Sequence, residues 1–172
     1  LGLISSLLFA QEDNVKNPAQ GLNLPSPAEG HRVAAELEKG GADAVTKLLE
    51  LLQSSNTTEI TSATYALTAL VANSPDKRDV IAQAMAEGLA EKIQDDNTKC
   101  TVLKLLRLCA NDAQIPLVAA QLGNATVRPY AIMTLASIGT PAAAKALVDA
   151  AAKADTAVAF EYVSALATPK PV

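Results

Sequence analysis

The residues that could do chemistry are few and widely spaced. His31 is the single histidine, and no HExxH or CxxC spacing accompanies it, so no metal site is predicted and His31 is expected to lie on the surface. Glu87 and Glu91 are four residues apart, but glycoside hydrolysis would require them to face a cleft. The sequence has neither a glycine-rich phosphate loop nor a GxSxG motif. It therefore predicts a chain that is not itself an enzyme and that holds no metal and no cofactor.

The two cysteines have a simpler interpretation than catalysis. Cys100 and Cys109 are nine residues apart in a predicted helix, which separates them by about 13.5 Å along the helix axis. A disulfide between them is excluded at that distance. Both are expected to be small buried hydrophobic residues.

Composition favours an all-α fold. Of 172 residues, 49% are hydrophobic but only 3% are aromatic, and 34 are alanine, so the core must be built from small aliphatic side chains. Alanine and leucine are strong helix formers, and runs of β-branched and aromatic residues are missing. The net charge of -4 argues against a nucleic-acid partner.

The amino-terminal segment resembles part of an export signal. Residues 1–10 form an apolar run of the length of a signal-peptide hydrophobic region, and small Ala10 before Gln11 marks the predicted cleavage site. No positively charged leader precedes the run, so we expect a truncated start; the alternative is a first core helix. Residues 11–25 read as a linker. The expected location is periplasmic or extracellular, without a stable membrane span.

Capping residues and apolar periodicity predict a series of helices. Gly40 and Gly41 are expected to end the first helix, which begins near Pro27. The following helices are predicted over residues 43–53, 58–73, 79–94, 98–110 and up to residue 122, with Val80 and Leu108 among the inward positions. The predicted caps are Asp43, Asp76, Asp96 and Asp155. Asn56 and Asn124 match the glycosylation sequon, but capping explains them without sugar.

An internal repeat connects the later helices. An offset of 30 residues aligns two helix pairs without a gap, an offset of 31 adds the last helix, and an offset of 35 leads back to Leu70. The 30-residue offset places Val102, Leu105, Leu108, Leu117 and Val118 beside Ile132, Leu135, Ile138, Leu147 and Val148. A helix-pair period of 30 to 35 residues is typical of a solenoid, in which stacking creates one continuous core.

The repeat resembles a known family. The segment TVRPYAIMTLASIGTPAAAKALVDAAAKAD is similar to short HEAT-like repeats of the phycobilisome-lyase type, with Gly139 at the expected turn and Pro129 early in the first helix. The resemblance covers roughly residues 42–167. It implies a right-handed, armadillo-like α-solenoid of stacked antiparallel helix pairs over residues 26–167. Residues 168–172 would form a Pro-rich tail or the start of a linker.

The resemblance also implies a function. Such arrays occur in exported bacterial proteins, sometimes beside haem-containing or sugar-active domains, so the chain is expected to be a non-catalytic scaffold or protein-binding module in the amino-terminal part of a larger protein. Its partner would be a protein, a peptide or an attached downstream domain. The alternatives are a phycobilin-lyase-like enzyme acting on a tetrapyrrole, and a purely structural spacer. The expected interface on the concave face of the second helices comprises Lys47, Glu50, Gln83, Glu87, Gln114, Gln121, Lys145 and Asp149.

Overall fold

The computed structural model describes residues 27–167, with side chains described from residue 39 onward. Four predictions lie outside the described residues: the signal region 1–10 with cleavage at Ala10 and Gln11, the linker 11–25, the tail 168–172, and the side chain of His31.

All regular structure within residues 27–167 is helical, which confirms the all-α prediction. The α-helices are α1 (Pro27–Leu51), α2 (Thr57–Asn73), α3 (Arg78–Glu91), α4 (Asp96–Leu106), α5 (Ile115–Ala119), α6 (Arg128–Ile138), α7 (Pro141–Ala151) and α8 (Thr156–Ala167). Short 3₁₀ turns cover Pro75–Lys77, Asp112–Gln114 and Ala120–Gly123. None of these helices is both long and apolar enough to cross a bilayer.

The predicted glycine stop is a kink in α1. Gly41 has φ 52° and ψ -130°, which is not a helical conformation, so α1 is two helical segments joined at this residue. A side chain would be strained at this φ, whereas glycine adopts it readily. The helix pair predicted on either side of Gly40 and Gly41 is therefore present, without a loop between its members.

The chain divides into two compact units, with the boundary between Met85 and Ala86 inside α3. In the first unit α1 packs against α2. The core residues that these two helices contribute are almost completely buried. They are Ala44, Val45, Leu48, Leu49 and Leu52 from α1 and its end, and Ala63, Ala66, Leu67, Leu70 and Val71 from α2.

In the second unit, each of the helices α4, α5 and α6 contacts the next helix but one, and α5, α6 and α7 also contact the next helix. Helix α4 packs against α6, and α6 packs against α8. The intervening helices α5 and α7 contact each other, and α7 also packs against α6 and α8. The first helices of the helix pairs (α4, α6 and α8) thus contact one another, and so do the second helices (α5 and α7).

Side chains cap the starts of the first helices α4 and α8, and a similar cap lies one turn before the first helix α6, whose own N-cap Val127 makes no side-chain hydrogen bond. A side-chain oxygen of Asp95 accepts a hydrogen bond from the backbone N–H of Thr98, three residues on (2.7 Å). Asn124 and Asp155 accept from the N–H three residues on in the same way, at 3.4 Å and 3.0 Å. The Asp155 cap is confirmed, but Asp96 as a cap is wrong, since Asp95 makes this contact and Asp96 lies in the first turn. The hydrogen bonding from Thr98 holds the pKa of Asp95 below its ordinary value.

The caps and the buried positions correct the repeat register from 30 to 29 residues. Asp95 and Asn124 are 29 residues apart, and the same offset aligns Asn111 with Thr140, whose side chains cap the next segments. It also pairs the following buried residues with one another: Val102 with Ala131, Leu103 with Ile132, Leu105 with Thr134, Leu106 with Leu135, Cys109 with Ile138, Gln114 with Ala143, and Val118 with Leu147. One residue turns a helix by about 100°, so burial decides between registers that leucine-rich sequences match almost equally well.

Leu108 and Val80 are among the positions predicted to face inward that are in fact exposed. Helix α4 ends at Leu106 rather than at residue 110, so Leu108 lies in the following turn and is 55% exposed. Val80, in the first turn of α3, is 50% exposed. The predicted helix before residue 122 is likewise shorter, because 3₁₀ turns flank α5 on both sides.

The turn between α6 and α7 gives a test of backbone strain. Gly139 ends α6 in the left-handed conformation (φ 66°), where a Cβ atom costs about 1 kcal/mol or more. Gly139→Ala is expected to lower the free energy of unfolding by about that amount in urea denaturation. Gly123→Ala is the matched control, since its added methyl group would meet no atom within 4 Å. Equal losses in both variants would contradict this account.

Candidate binding cleft in the second unit

A cleft of about 450 Å³ lies where the end of one repeat meets the start of the next. Its apolar walls are Leu122, Ala150, Ala154 and Val158. Arg128, Lys153, Asp155 and Tyr162 supply its polar groups, and Gly123 completes the lining. The volume is in the range of small-molecule and side-chain binding sites.

The backbone carbonyl of Leu122 organises the polar side of this cleft. It accepts hydrogen bonds from Nε of Arg128 (3.0 Å) and from the hydroxyl of Tyr162 (3.1 Å). Carbonyl groups at the end of a helical segment lack partners within the segment. The two side chains supply those partners, and the contact fixes their positions in return.

Local sequence explains how Arg128 reaches the cleft. The chain leaves the 3₁₀ turn at Gly123, and Asn124 caps the following turn by accepting from the N–H of Thr126 (3.0 Å). Pro129 lies in the first turn of α6, a position that lacks a helical hydrogen bond in any case. Arg128 is thereby the first residue of α6, and its side chain folds back over the preceding turn.

The charged groups at the cleft balance, since Arg128 and Lys153 are cations and Asp155 and Glu161 are carboxylates. The side chain of Arg128 is 15% exposed, and its Nη1 lies 3.6 Å from Oε2 of Glu161, a side chain that is 48% exposed. Such a half-exposed pair contributes little binding energy of its own. Lys153 is exposed, and Asp155 is engaged as the cap of α8. The arrangement can bind an acidic group beside an apolar one.

The lining residues offer no nucleophile–base pair. Tyr162 is the one hydroxyl-bearing side chain among them, and it is 4% exposed and donates to Leu122. Glu87 and Glu91 are both exposed on α3 and do not line this cleft. Among the described residues no group of three or more His, Cys, Asp or Glu side chains is arranged to hold a metal ion.

The interface residues expected from the sequence have different environments. Lys47, Glu50 and Gln83 belong to the first unit, and the other five belong to the second. Gln114 is only 1% exposed, because its side chain accepts from the N–H of Asn111 (3.0 Å) in a capping box. It is therefore not available to a partner as predicted. Lys145 and Asp149 form an exposed ion pair one turn apart on α7, and Glu87 is exposed on α3. Gln121 is half-buried and does not line the cleft.

Sequence reasoning missed Arg128, Lys153 and Tyr162. The repeat alignment could have predicted that Tyr162 is buried. When Asn124 and Asp155 are aligned, Tyr162 takes the position of buried Ala131 in the preceding first helix. A buried tyrosine needs a hydrogen-bond partner for its hydroxyl group. No sequence pattern shows that this partner is a backbone carbonyl.

Comparison with known proteins adds no assignment, since no family model and no curated protein sequence matches the chain.

The cysteine thiols are buried within the second unit. Cys100 and Cys109 are free and are 7% and 6% exposed. Their Sγ atoms lie 3.8 Å and 3.7 Å from the carbonyl oxygens of Thr126 and Leu105. Burial raises the pKa of the Cys100 thiol, so the reactive thiolate is rarer than in an exposed cysteine.

This burial predicts low thiol reactivity in the folded protein. At pH 8 both cysteines should react with a disulfide reagent at least roughly tenfold more slowly than in the urea-unfolded chain. The raised pKa keeps Cys100 protonated in the folded state, and its contribution to stability is lost as the pH rises through that pKa. A native thiol that reacts as fast as the unfolded one would contradict the buried placement.

The hydrogen bond from Tyr162 gives a second stability test. Tyr162→Phe removes one of two donors to the Leu122 carbonyl and should lower the free energy of unfolding by about 1 kcal/mol. Tyr65→Phe, at a tyrosine that is 45% exposed, should change it by less than about 0.5 kcal/mol. Urea denaturation of the two variants measures the difference, and equal effects would contradict the role of the buried hydroxyl.

Proposed function

We propose that the chain is a non-catalytic helical-repeat module of the HEAT-like solenoid kind that binds a protein segment in the cleft beside Arg128. The observation that supports this most is the 29-residue register, in which caps and buried positions recur together in successive helix pairs. A repeat of this length whose units are covered by their neighbours is typical of solenoids. Solenoids commonly use their extended surfaces to bind other proteins.

Hydrogen bonds between equivalent parts of successive repeats support stacking. Nδ2 of Asn124 donates to Oδ1 of Asp96 (2.8 Å), so the start of α6 is bonded to the start of α4. The buried hydroxyl of Thr134 donates to the carbonyl of Leu103 (3.0 Å) in the middle of the same two helices. Near their ends, Nε of Arg107 lies 3.4 Å from Oγ of Ser137. Contacts at the start, middle and end favour two helices that lie side by side along their length.

The cleft continues this stacking to the next pair. Leu122 ends one repeat, Arg128 begins the second, and Tyr162 belongs to the third first helix. The walls bring apolar surface from Leu122, Ala154 and Val158 beside the cations. The ligand that fits is a peptide segment with an apolar side chain next to a carboxylate, since guanidinium and ammonium groups favour carboxylate partners.

A random-peptide selection against the folded protein tests this proposal. Enriched peptides should combine an acidic residue with an aliphatic one, and Lys153→Ala should weaken their binding about fivefold or more, because an exposed lysine at the rim supplies part of the attraction. Isothermal titration measures the affinities. Lys153 is exposed, so helicity by circular dichroism should be unchanged.

Lys145→Ala is the matched control, because Lys145 is an exposed lysine on α7 that does not line the cleft. The selected peptides should bind the Lys145→Ala variant with unchanged affinity. If Lys145→Ala and Asp149→Ala weaken binding and Lys153→Ala does not, the interface is the outer face of α7 and the cleft assignment is wrong. A selection that enriches no peptide would instead favour the alternative that the chain is a purely structural spacer.

A further inference from the structure

Two exposed cations at the end of α4 have no carboxylate partner. Lys104 lies in the last turn of α4, and Arg107 follows the helix three residues later. Within residues 39–167 neither side chain is at ion-pair distance from an aspartate or a glutamate. Arg128 and Lys145, by contrast, each pair with a carboxylate. The positive charge of Lys104 and Arg107 is therefore not compensated by an ion pair at this surface.

Side chains of the next repeat hold both cations in position. Nζ of Lys104 lies 4.9 Å from the centroid of the Tyr130 ring, within the distance at which an aromatic face attracts a cation. Nε of Arg107 donates to Oγ of Ser137 at 3.4 Å. Both contacts restrict long side chains without neutralising their charge. Less conformational entropy then remains to be lost when an anionic group binds.

The charge around these two residues has a single sign. Residues 97–107 contain two lysines, one arginine and no acidic residue, and the charged residue of α6, over residues 128–138, is an arginine. The flanking acidic residues Asp96 and Asp112 each accept a hydrogen bond from a side chain of the next repeat, at 2.8 Å and 2.5 Å. The chain as a whole has a net charge of -4. The cationic surface is therefore a local feature that runs against the overall composition.

Exposed apolar side chains adjoin the cations. Leu108 lies four residues after Lys104, in the turn that follows α4, and is 55% exposed. Met133 lies one turn after Tyr130 on α6 and is 44% exposed. Residues three and four apart lie on the same side of a helix. Lys104, Arg107, Leu108, Tyr130 and Met133 are here called the α4–α6 patch.

We infer that the α4–α6 patch binds an acidic amphipathic helix of a partner protein. Complementary charge identifies this occupant, because an ammonium and a guanidinium group three residues apart match two carboxylates one turn apart on a helix. Leu108 and Met133 suit an apolar residue beside those carboxylates, and methionine adapts readily to the shape of a partner. The patch shares no residue with the cleft lining, so binding at the two sites can fail independently.

A designed helix tests this site. The probe is a fluorescent, lactam-bridged peptide of about sixteen residues with two glutamates one turn apart and leucines on the same side. Fluorescence anisotropy with the full chain should show binding that Lys104→Glu weakens at least roughly tenfold, since the variant replaces attraction by repulsion. Exchanging both probe glutamates for lysines should restore binding to the double variant Lys104→Glu, Arg107→Glu. Circular dichroism should show unchanged helicity, because both residues are exposed.

Substitutions of the same kind elsewhere provide the matched controls. Lys145→Glu on α7 and Lys153→Glu at the cleft change the net charge equally and should alter the affinity less than about twofold. Leu108→Ser should weaken binding about fivefold, whereas Val148→Ser, at a side chain that is 51% exposed on α7, should leave it unchanged.

Three results would overturn the inference. The first is an absence of measurable binding, and the second is an equal loss in all the lysine variants, which would indicate non-specific attraction. The third is a dimer of the parent chain in sedimentation velocity that Lys104→Glu dissociates, since a second copy would then be the occupant of the patch.

Discussion

The fold depends on the inability of any one helix to bury its own apolar face. Helices α4, α6 and α7 have eleven residues each, and helices of that length are marginal in water even when rich in alanine. With so few aromatic residues in the sequence, their stability has to come from close contact of small and aliphatic side chains. Helices α5, α6, α7 and α8 of the second unit each meet this requirement through contacts with at least two neighbouring helices.

Polar atoms then determine how the helices are positioned. Every break between short helices leaves N–H and C=O groups without partners, and the chain has many such breaks. Side chains of Asp95 and Asp155 satisfy donors at the starts of α4 and α8, and Asn124 satisfies donors in the turn before α6. Thr134 and Tyr162 reach carbonyl oxygens of preceding repeats. These bonds have fixed geometry, so they define a register that apolar packing alone would leave ambiguous.

The difference between local chemistry and contacts between distant residues explains what could be predicted from the sequence. The all-α class follows from composition, and the breaks at Gly41 and Gly139 follow from the conformations that glycine adopts. The capping role of Asn56, which accepts from the N–H of Thr58 (2.9 Å), follows from local chemistry. The repeat was detectable, but its register was not, since Leu105 and Leu106 match a leucine in either alignment. Exposure distinguishes the alignments, and exposure depends on neighbours distant in sequence.

The cleft could not be predicted because its central group is a main-chain carbonyl. Any residue at position 122 would have a main-chain carbonyl, so the residue type there does not indicate the cleft. Likewise, Gln114 reads as a surface polar residue until its capping box with Asn111 is seen. Long polar side chains are ambiguous in this way, because they serve equally well as solvated groups and as internal hydrogen-bonding partners.

The shared carbonyl of Leu122 has a consequence for how the second unit opens. Arg128 and Tyr162 come from consecutive first helices and bind the same oxygen. Separation of α8 from its neighbours therefore removes Tyr162 from this carbonyl and Glu161 from Arg128 in a single event. Separation of the last helix and loss of the polar side of the cleft are therefore coupled, and a ligand held in the cleft would oppose both.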